Sequence, residues 1–245
     1  MVGVPLYYAP ELRMALAAGR PAVPDLRCDL FSLSVLLHEI LLSSHPATGY
    51  DDTPEKVDAA MLKGWLHDPQ RPGRKIGVGG LPPEILSSDI HRMFRRAFSC
   101  EPRVRPSAAE WESALLNVQG ALRYCPDQTC SMPFLVDAAK SSCPGCHRPF
   151  PAFILRTESG LSIRVDSASV SVGRNELGGS PHVSLQHAML RKTGPDLWIE
   201  SLGRNGTKRW DGSAWTRLPD RTRVLLQEGD WLRLGDVAAR VMLAA

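Results

Sequence analysis

The chain has no apolar run long enough to cross a bilayer: its most apolar stretch, Leu33–Leu42, is broken by His38 and Glu39. It shows no basic start followed by an apolar segment either, so no secretory leader is read, a cytoplasmic location is expected and no membrane partner is. Internal repeats and low-complexity linkers are absent. An excess of charge of one sign is nearly absent, with a net +3 over 245 residues. Residues 1–150 hold 16 Lys/Arg against 16 Asp/Glu, and residues 151–245 hold 13 against 10. The whole positive excess therefore sits in the last part of the chain. That is too little for a general nucleic-acid surface but enough for a local anion site. Cysteine is sparse at six residues, of which Cys28 and Cys100 stand alone.

What is present divides into three blocks. Residues 1–120 carry helical patterns. Leu30–Leu42 is apolar nearly all round, which predicts a fully buried helix, with Asp29 placed to cap its start. Over Glu84–Phe98, apolar residues at Ile85, Leu86, Ile90, Met93, Phe94 and Ala97 repeat with a helical period. Ser107, with Glu110 three residues on, opens a further helix containing Trp111, Leu115 and Val118. Thr48–Leu81 is rich in Pro and Gly, with one helix expected around Glu55–Leu66. From Leu161 the period switches to two: Leu161–Val165, Val170–Val172, Leu197–Ile199 and Arg223–Leu226 alternate or run apolar. Turn signals at Gly194-Pro195-Asp196, Asp211-Gly212, Glu228-Gly229-Asp230 and Gly235-Asp236 punctuate them. Many short strands without helix predict an antiparallel β-sandwich.

Three separated motifs in the helical block are similar to the C-terminal lobe of a protein kinase. Gly3-Val-Pro-Leu-Tyr-Tyr-Ala-Pro-Glu11 looks like the end of an activation segment with its closing Ala-Pro-Glu. Asp29-Leu30-Phe31-Ser32-Leu33-Ser34-Val35 resembles that family's Asp-x-Trp-Ser-Leu-Gly-Val helix, and Arg105-Pro106-Ser107 its late Arg-Pro-Ser. The resemblance covers about residues 3–118 and implies a buried ion pair between Glu11 and Arg105. Val4 stands where the family has Thr, and Ser34 where it usually has Gly. The family's Gly-rich loop, strand lysine, His-Arg-Asp and Asp-Phe-Gly all precede this point. This chain alone is therefore expected to transfer no phosphoryl group, ATP and Mg²⁺ belonging only to a longer parent, itself a Ser/Thr kinase, of which the chain is expected to be a fragment.

Between the helical and β blocks, Cys125-x4-Cys130 and Cys143-x2-Cys146 lie twelve residues apart. Paired cysteines without a secretory signal favour a metal over disulfides. Two knuckles supplying four thiolates suit one tetrahedral Zn²⁺, structural because no ligand position is left open. The block resembles a zinc ribbon, and His147 is expected to point away from it.

In the β block, Gly173-Arg174, Ser184-x-x-His187 and Asn205-Gly206-Thr207 resemble the forkhead-associated (FHA) domain, over about residues 154–245. The resemblance implies phosphothreonine recognition. Arg174 would supply a planar donor fork, Ser184 a hydroxyl donor, and Asn205 an amide clamp on the peptide backbone, while His187 braces the Ser184 loop. Arg204 stands where a small hydroxyl residue is common, and either replaces that donor or occludes the site. Arg191, Lys192, Lys208 and Arg209 are expected to form a solvated basic rim.

The combined expectation is a multidomain α+β protein. Residues 1–120 would be a kinase C-terminal lobe, 121–152 a four-cysteine zinc ribbon and 153–245 an FHA-like sandwich. Its expected role is recognition of a phosphothreonine-bearing protein. Similarity to bacterial kinases carrying these modules adds a von Willebrand A-type protein and a metal-dependent phosphatase as possible partners. The alternatives are the substrate-binding lobe of an active kinase and a scaffold with no phosphate specificity.

Overall fold

The computed structural model describes residues 5–47, 53–62, 80–137, 140–166 and 169–244. Val4 and most of Thr48–Leu81 lie outside the described residues. The chain divides into two compact units: residues up to Leu135 with Pro144–Cys146, and Val136–Cys143 with the chain from His147 onward.

The first unit is built from α1 (Pro10–Ala17), α2 (Leu26–Leu42), α3 (Pro54–Leu62), α4 (Ser88–Ala97) and α5 (Ala108–Val118), followed by a short hairpin of β1 (Leu122–Tyr124) and β2 (Pro133–Leu135). Among the described residues no strand precedes Leu122. No helix of the described residues is long and apolar enough to span a membrane.

Asp25, not Asp29, caps α2: its carboxylate accepts from the Arg27 and Cys28 amides at 2.9 and 3.0 Å. The helix starts four residues earlier than the apolar run, which leaves Asp29 inside the first turn, where an acid suits the helix dipole but no longer caps. Nor is α2 buried all round. Phe31, Ser34, Val35, His38 and Leu42 face the core, whereas Leu36 and Ile40 are 46% and 74% exposed. The Glu84–Phe98 pattern resolves into a single 3₁₀ turn at Pro83–Ile85, an extended Leu86, and α4 capped by Ser87. Consecutive prolines at 82 and 83 allow one turn, and the helix restarts at the next capping residue. Ser107 and Glu110 form a full capping box on α5. The Ser107 amide first, then Arg96, pulls the Glu110 carboxyl down to about 2.

The core of this unit is aromatic. Phe94 stacks on Phe98 at 5.7 Å, and its ring lies 4.9 Å from that of Trp111. Trp111 Nε1 donates to Ser34 Oγ at 3.3 Å, and that hydroxyl donates to Leu30 O at 2.8 Å. A hydroxyl at position 34 thus satisfies the indole N–H inside the core.

Arg105 has a fully buried side chain and forks onto Glu11, with Nη1 to Oε1 at 2.6 Å and Nη2 to Oε2 at 2.8 Å. Nη1 also reaches Arg27 O at 2.9 Å. The structure therefore ties the start of α1, the entry to α2 and the segment before α5 with one guanidinium. Burial is the largest single influence and by itself would raise the Glu11 carboxyl, but the hydrogen bonds and charge of Arg105, the Glu11 backbone amide and the Cys28 thiol together hold it below the ordinary value.

The second unit is a sandwich of two antiparallel sheets. β3 (Phe153–Thr157), β4 (Ser162–Val165), β8 (Thr207–Trp210), β9 (Trp215–Arg217), β11 (Trp231–Leu234) and β12 (Val237–Leu243) form one sheet in the order β4-β3-β12-β11-β8-β9. β5 (Val170–Val172), β6 (Ala188–Thr193), β7 (Asp196–Ser201) and β10 (Arg223–Leu226) form the other, ordered β10-β7-β6-β5. Inward residues alternate along the strands, so Leu155, Val172, Leu190, Ile199, Leu232 and Val241 fill the space between. This places the loops after β5, before β6 and between β7 and β8 beside one another.

Removing the buried guanidinium tests the helical unit. Arg105→Met should lower its stability by about 2–4 kcal/mol in urea unfolding, because Glu11 and Arg27 O lose their partner. Since the Glu11 carboxyl sits lower folded than unfolded, its contribution is complete above the ordinary value of 4.5 and is lost as pH falls through the folded value. Glu11→Gln should flatten that acid limb; an unchanged limb would refute the assignment.

Candidate functional site

Three loops of the sandwich converge. Gly173 and Arg174 follow β5, and the Arg174 amide donates to Ser184 O at 2.9 Å. A Cβ at position 173 would sit 1.8 Å from Leu185 O, so only glycine permits this approach. The Arg174 side chain is held on one edge, Nε donating to Val183 O at 2.9 Å and Nη2 to Pro181 O at 3.4 Å. Those bonds take two of its five N–H groups. The rest of the fork has no partner among the described residues.

His187 is wholly buried and fixes the neighbouring loops. Its Nδ1 accepts the Ser184 amide at 3.2 Å, so the ring proton is on Nε2, which donates to Gly206 O at 2.9 Å. The His187 carbonyl accepts the Leu202 and Gly203 amides. Gly203 is packed on the imidazole, where a Cβ would lie 2.5 Å from Nδ1. Ser184 Oγ accepts the Arg204 amide at 3.3 Å, leaving the hydroxyl proton to donate outward. Asn205 Nδ2 donates to His182 O at 2.7 Å, tying its loop to that of Ser184. The structure thus brings Arg174, Ser184, Asn205 and the backbone of Arg204 together. The Arg204 side chain is exposed and makes no hydrogen bond or ion pair among the described residues.

Other members of the cluster carry no clear sequence signal. Ser180 Oγ donates to Asp236 at 2.6 Å and accepts the His182 amide at 3.2 Å, holding the loop that carries Val183. The Ser180 bond holds the Asp236 carboxyl below its ordinary value. Glu176 accepts the Gly173 amide at 2.9 Å. The nearest signal is Gly235-Asp236, which reads only as a turn; a Cβ at 235 would lie 2.4 Å from His182 O.

The expected basic rim does not form. Arg191 and Lys192 are consecutive on β6 and point to opposite faces. Lys192 Nζ donates to Phe150 O at 3.4 Å, and burial pushes its pKa down. Arg209 pairs with Asp230 at 3.0 Å, and only Lys208 is fully exposed. Four basic residues near one another in sequence lie on two different sheets.

Cys125, Cys130, Cys143 and Cys146 place their Sγ atoms within 4.8 Å of one another, which could hold a metal ion. Thiolates at about 2.3 Å around a tetrahedral zinc are separated by about 3.8 Å. Cys125 Sγ and Cys146 Sγ stand 3.8 Å apart, so this pair fits zinc without rearrangement. The turns are locally built: Cys125 N donates to Met132 O and Cys143 N to Arg148 O. His147 is exposed with φ +59°, outside the cluster.

The family model of the FHA domain matches residues 162–235. That part of the chain is an FHA domain, with the antiparallel sandwich described above. Over 128 residues the chain is 29% identical to protein kinase YegI of Escherichia coli (strain K12), covering 48% of this chain but only 19% of that protein. Solved structures similar to the chain include the FHA domain of human APLF in complex with an XRCC1 bisphospho peptide, at 23% identity, 37% of this chain, 97% of that one and a TM-score of 0.35. Another is the FhaA FHA domain complexed with the intracellular domain of Rv3910, at 25% identity, 36% and 98% coverage and a TM-score of 0.30.

Metal removal tests the cysteine cluster. One zinc per chain is expected by elemental analysis, and Cys143→Ser should lose it. The same change should expose residues 121–150 to proteolysis, because so short a segment has little apolar area to replace the metal. Full zinc content in Cys143→Ser would sink the assignment.

Proposed function

We propose that the chain is a zinc-stabilised recognition portion of a Ser/Thr-kinase-like protein, whose FHA domain binds phosphothreonine-bearing proteins. The observation that carries the reading is Arg174, whose guanidinium is anchored on one edge by Val183 O and Pro181 O and open on the other. An anchored fork loses little freedom on meeting phosphate oxygens, and charge-assisted bonds to phosphate are the strong ones. The Ser184 hydroxyl, positioned by the Arg204 amide, adds a neutral donor from the neighbouring loop. Asn205, whose amide nitrogen is engaged by His182 O, keeps its oxygen for a peptide N–H.

The helical unit is read as a kinase C-terminal lobe. Support comes from the forked Glu11–Arg105 pair across 94 residues, and from Ser32 Oγ donating to Tyr7 O at 2.8 Å, which fastens the Ala-Pro-Glu segment to α2. In that reading the lobe contributes no nucleotide or metal ligand, and phosphoryl transfer belongs to a longer parent. The four cysteines form a zinc ribbon that holds its own segment.

Calorimetry with paired phosphothreonine and threonine peptides tests this. Arg174→Ala should weaken phosphopeptide binding by about 1.5–3 kcal/mol, the range for a hydrogen bond to a charged group. Arg174→Lys should recover little, because an ammonium replaces neither the fork nor the anchor on Val183 O. Ser184→Ala should cost about 0.5–1.5 kcal/mol. Affinity should rise as pH passes about 6, where phosphate takes its second charge. Equal binding of both peptides across a degenerate library would establish a phosphate-independent scaffold instead.

A further inference from the structure

The loop site leaves the outer face of the six-stranded sheet unused, and that face has its own chemistry. Side chains alternate across a strand, so the neighbours of buried residues point outward. Phe153, Leu155, Ala239, Val241, Leu232, Leu234 and Thr207 are buried, which puts Arg156, Arg240, Arg233 and Lys208 outside. The register sets Arg156 opposite Arg240, Arg233 opposite Lys208, and Lys208 opposite Arg217. Like charges directly opposed across strands destabilise a sheet. No strand position on this face holds Asp or Glu. Arg217 has Asp220 at 3.0 Å, but Arg156, Lys208, Arg233 and Arg240 have no carboxylate at ion-pair distance among the described residues.

Two of these cations are also oriented. Arg233 Cζ lies 4.3 Å from the centroid of the Trp215 ring, and Arg240 Cζ lies 6.0 Å from that of Trp231. A guanidinium resting on an aromatic ring keeps its N–H groups turned toward solvent in a fixed fork suited to carboxylates. The same stacking covers ring faces of Trp215 and Trp231 that a nucleic-acid base would need, while Trp210, 37% exposed on this face, packs against Trp215 at 5.5 Å. We propose that this sheet face docks an acidic, Asp/Glu-rich segment of a partner protein. The fit is one of charge: an uncompensated basic lattice, at odds with its own stability, meets a chain of carboxylates. Each exposed pair is weak, so affinity is a sum over several and falls as salt rises.

The test uses the full chain and a short labelled Asp/Glu-rich peptide without phosphate, followed by fluorescence anisotropy at low and physiological ionic strength. The acidic peptide should bind at low salt, the matched Asn/Gln peptide should not, and an oligo-dT strand should bind more weakly than the acidic peptide. Changing Arg156, Lys208, Arg233 and Arg240 together to Gln should weaken binding about tenfold, the sum of four weak pairs. Arg174→Ala should leave it unchanged, which separates this face from the loop site. Changing the same four residues together to Glu should turn the preference toward a Lys-rich peptide, a gain that a misfolded chain would not show. The proposal is overturned by absence of acidic-peptide binding at low salt, by binding that survives the fourfold change, or by oligo-dT binding as tightly as the acidic peptide.

Discussion

A polar group taken out of water must find a partner inside the protein, and both units are organised around a few groups for which that demand is severe. In the helical unit the group is the Arg105 guanidinium, whose side chain has no solvent access at all. It can be buried only where two carboxylate oxygens and a carbonyl converge, so the ends of α1, α2 and the segment before α5 are fixed relative to one another. In the sandwich the group is the His187 imidazole. Its two nitrogens, one accepting and one donating, set the distance between the Ser184 and Gly206 loops. The recognition loops are long-range neighbours because a buried ring needs both of them.

This explains why the site rests on glycine and backbone as much as on its named side chains. Once His187 is inside, Gly203 must be small enough to lie on the ring, and Gly173 must admit Leu185 O. Arg174 is oriented by two carbonyls of a loop that Ser180 and Asp236 hold in turn. A fork oriented by backbone is prepared before a ligand arrives, so less of its binding free energy is lost to ordering.

Much of this is legible in the residues, and the failures have physical causes. The cysteine spacing, the strand alternation from Leu161 onward and the Ser107/Glu110 capping box depend on local sequence, and each is found in the structure. The cap of α2 falls at Asp25 although Asp29 is an equally good residue type; which one caps is decided by where the backbone leaves the extended region, and it does so at Asp25. The exposure of Leu36 and Ile40 is invisible in the sequence because an all-round apolar helix looks the same whatever packs against it. The expected basic rim fails because nearness in sequence is not nearness in space. Arg156 and Arg240, separated by 84 positions, face one another only through the β3–β12 register.

On the two proposed readings, the faces of the FHA domain are different solutions to recognising negative charge. At the loops, one guanidinium is anchored, directed and supported by a hydroxyl, which suits a single dianionic group at one position. On the sheet, several cations stand on one face, two resting on tryptophan rings, and among the described residues Arg156, Lys208, Arg233 and Arg240 have no carboxylate at ion-pair distance. That arrangement reads total charge, not the position of any one group. A point site discriminates by geometry and is lost with one residue, whereas a distributed face discriminates by charge density and weakens by degrees. Where one partner carries both a phosphothreonine and an acidic stretch, the second contact becomes intramolecular after the first. Its contribution then depends on the length of chain between the two, and modest pairwise strengths suffice.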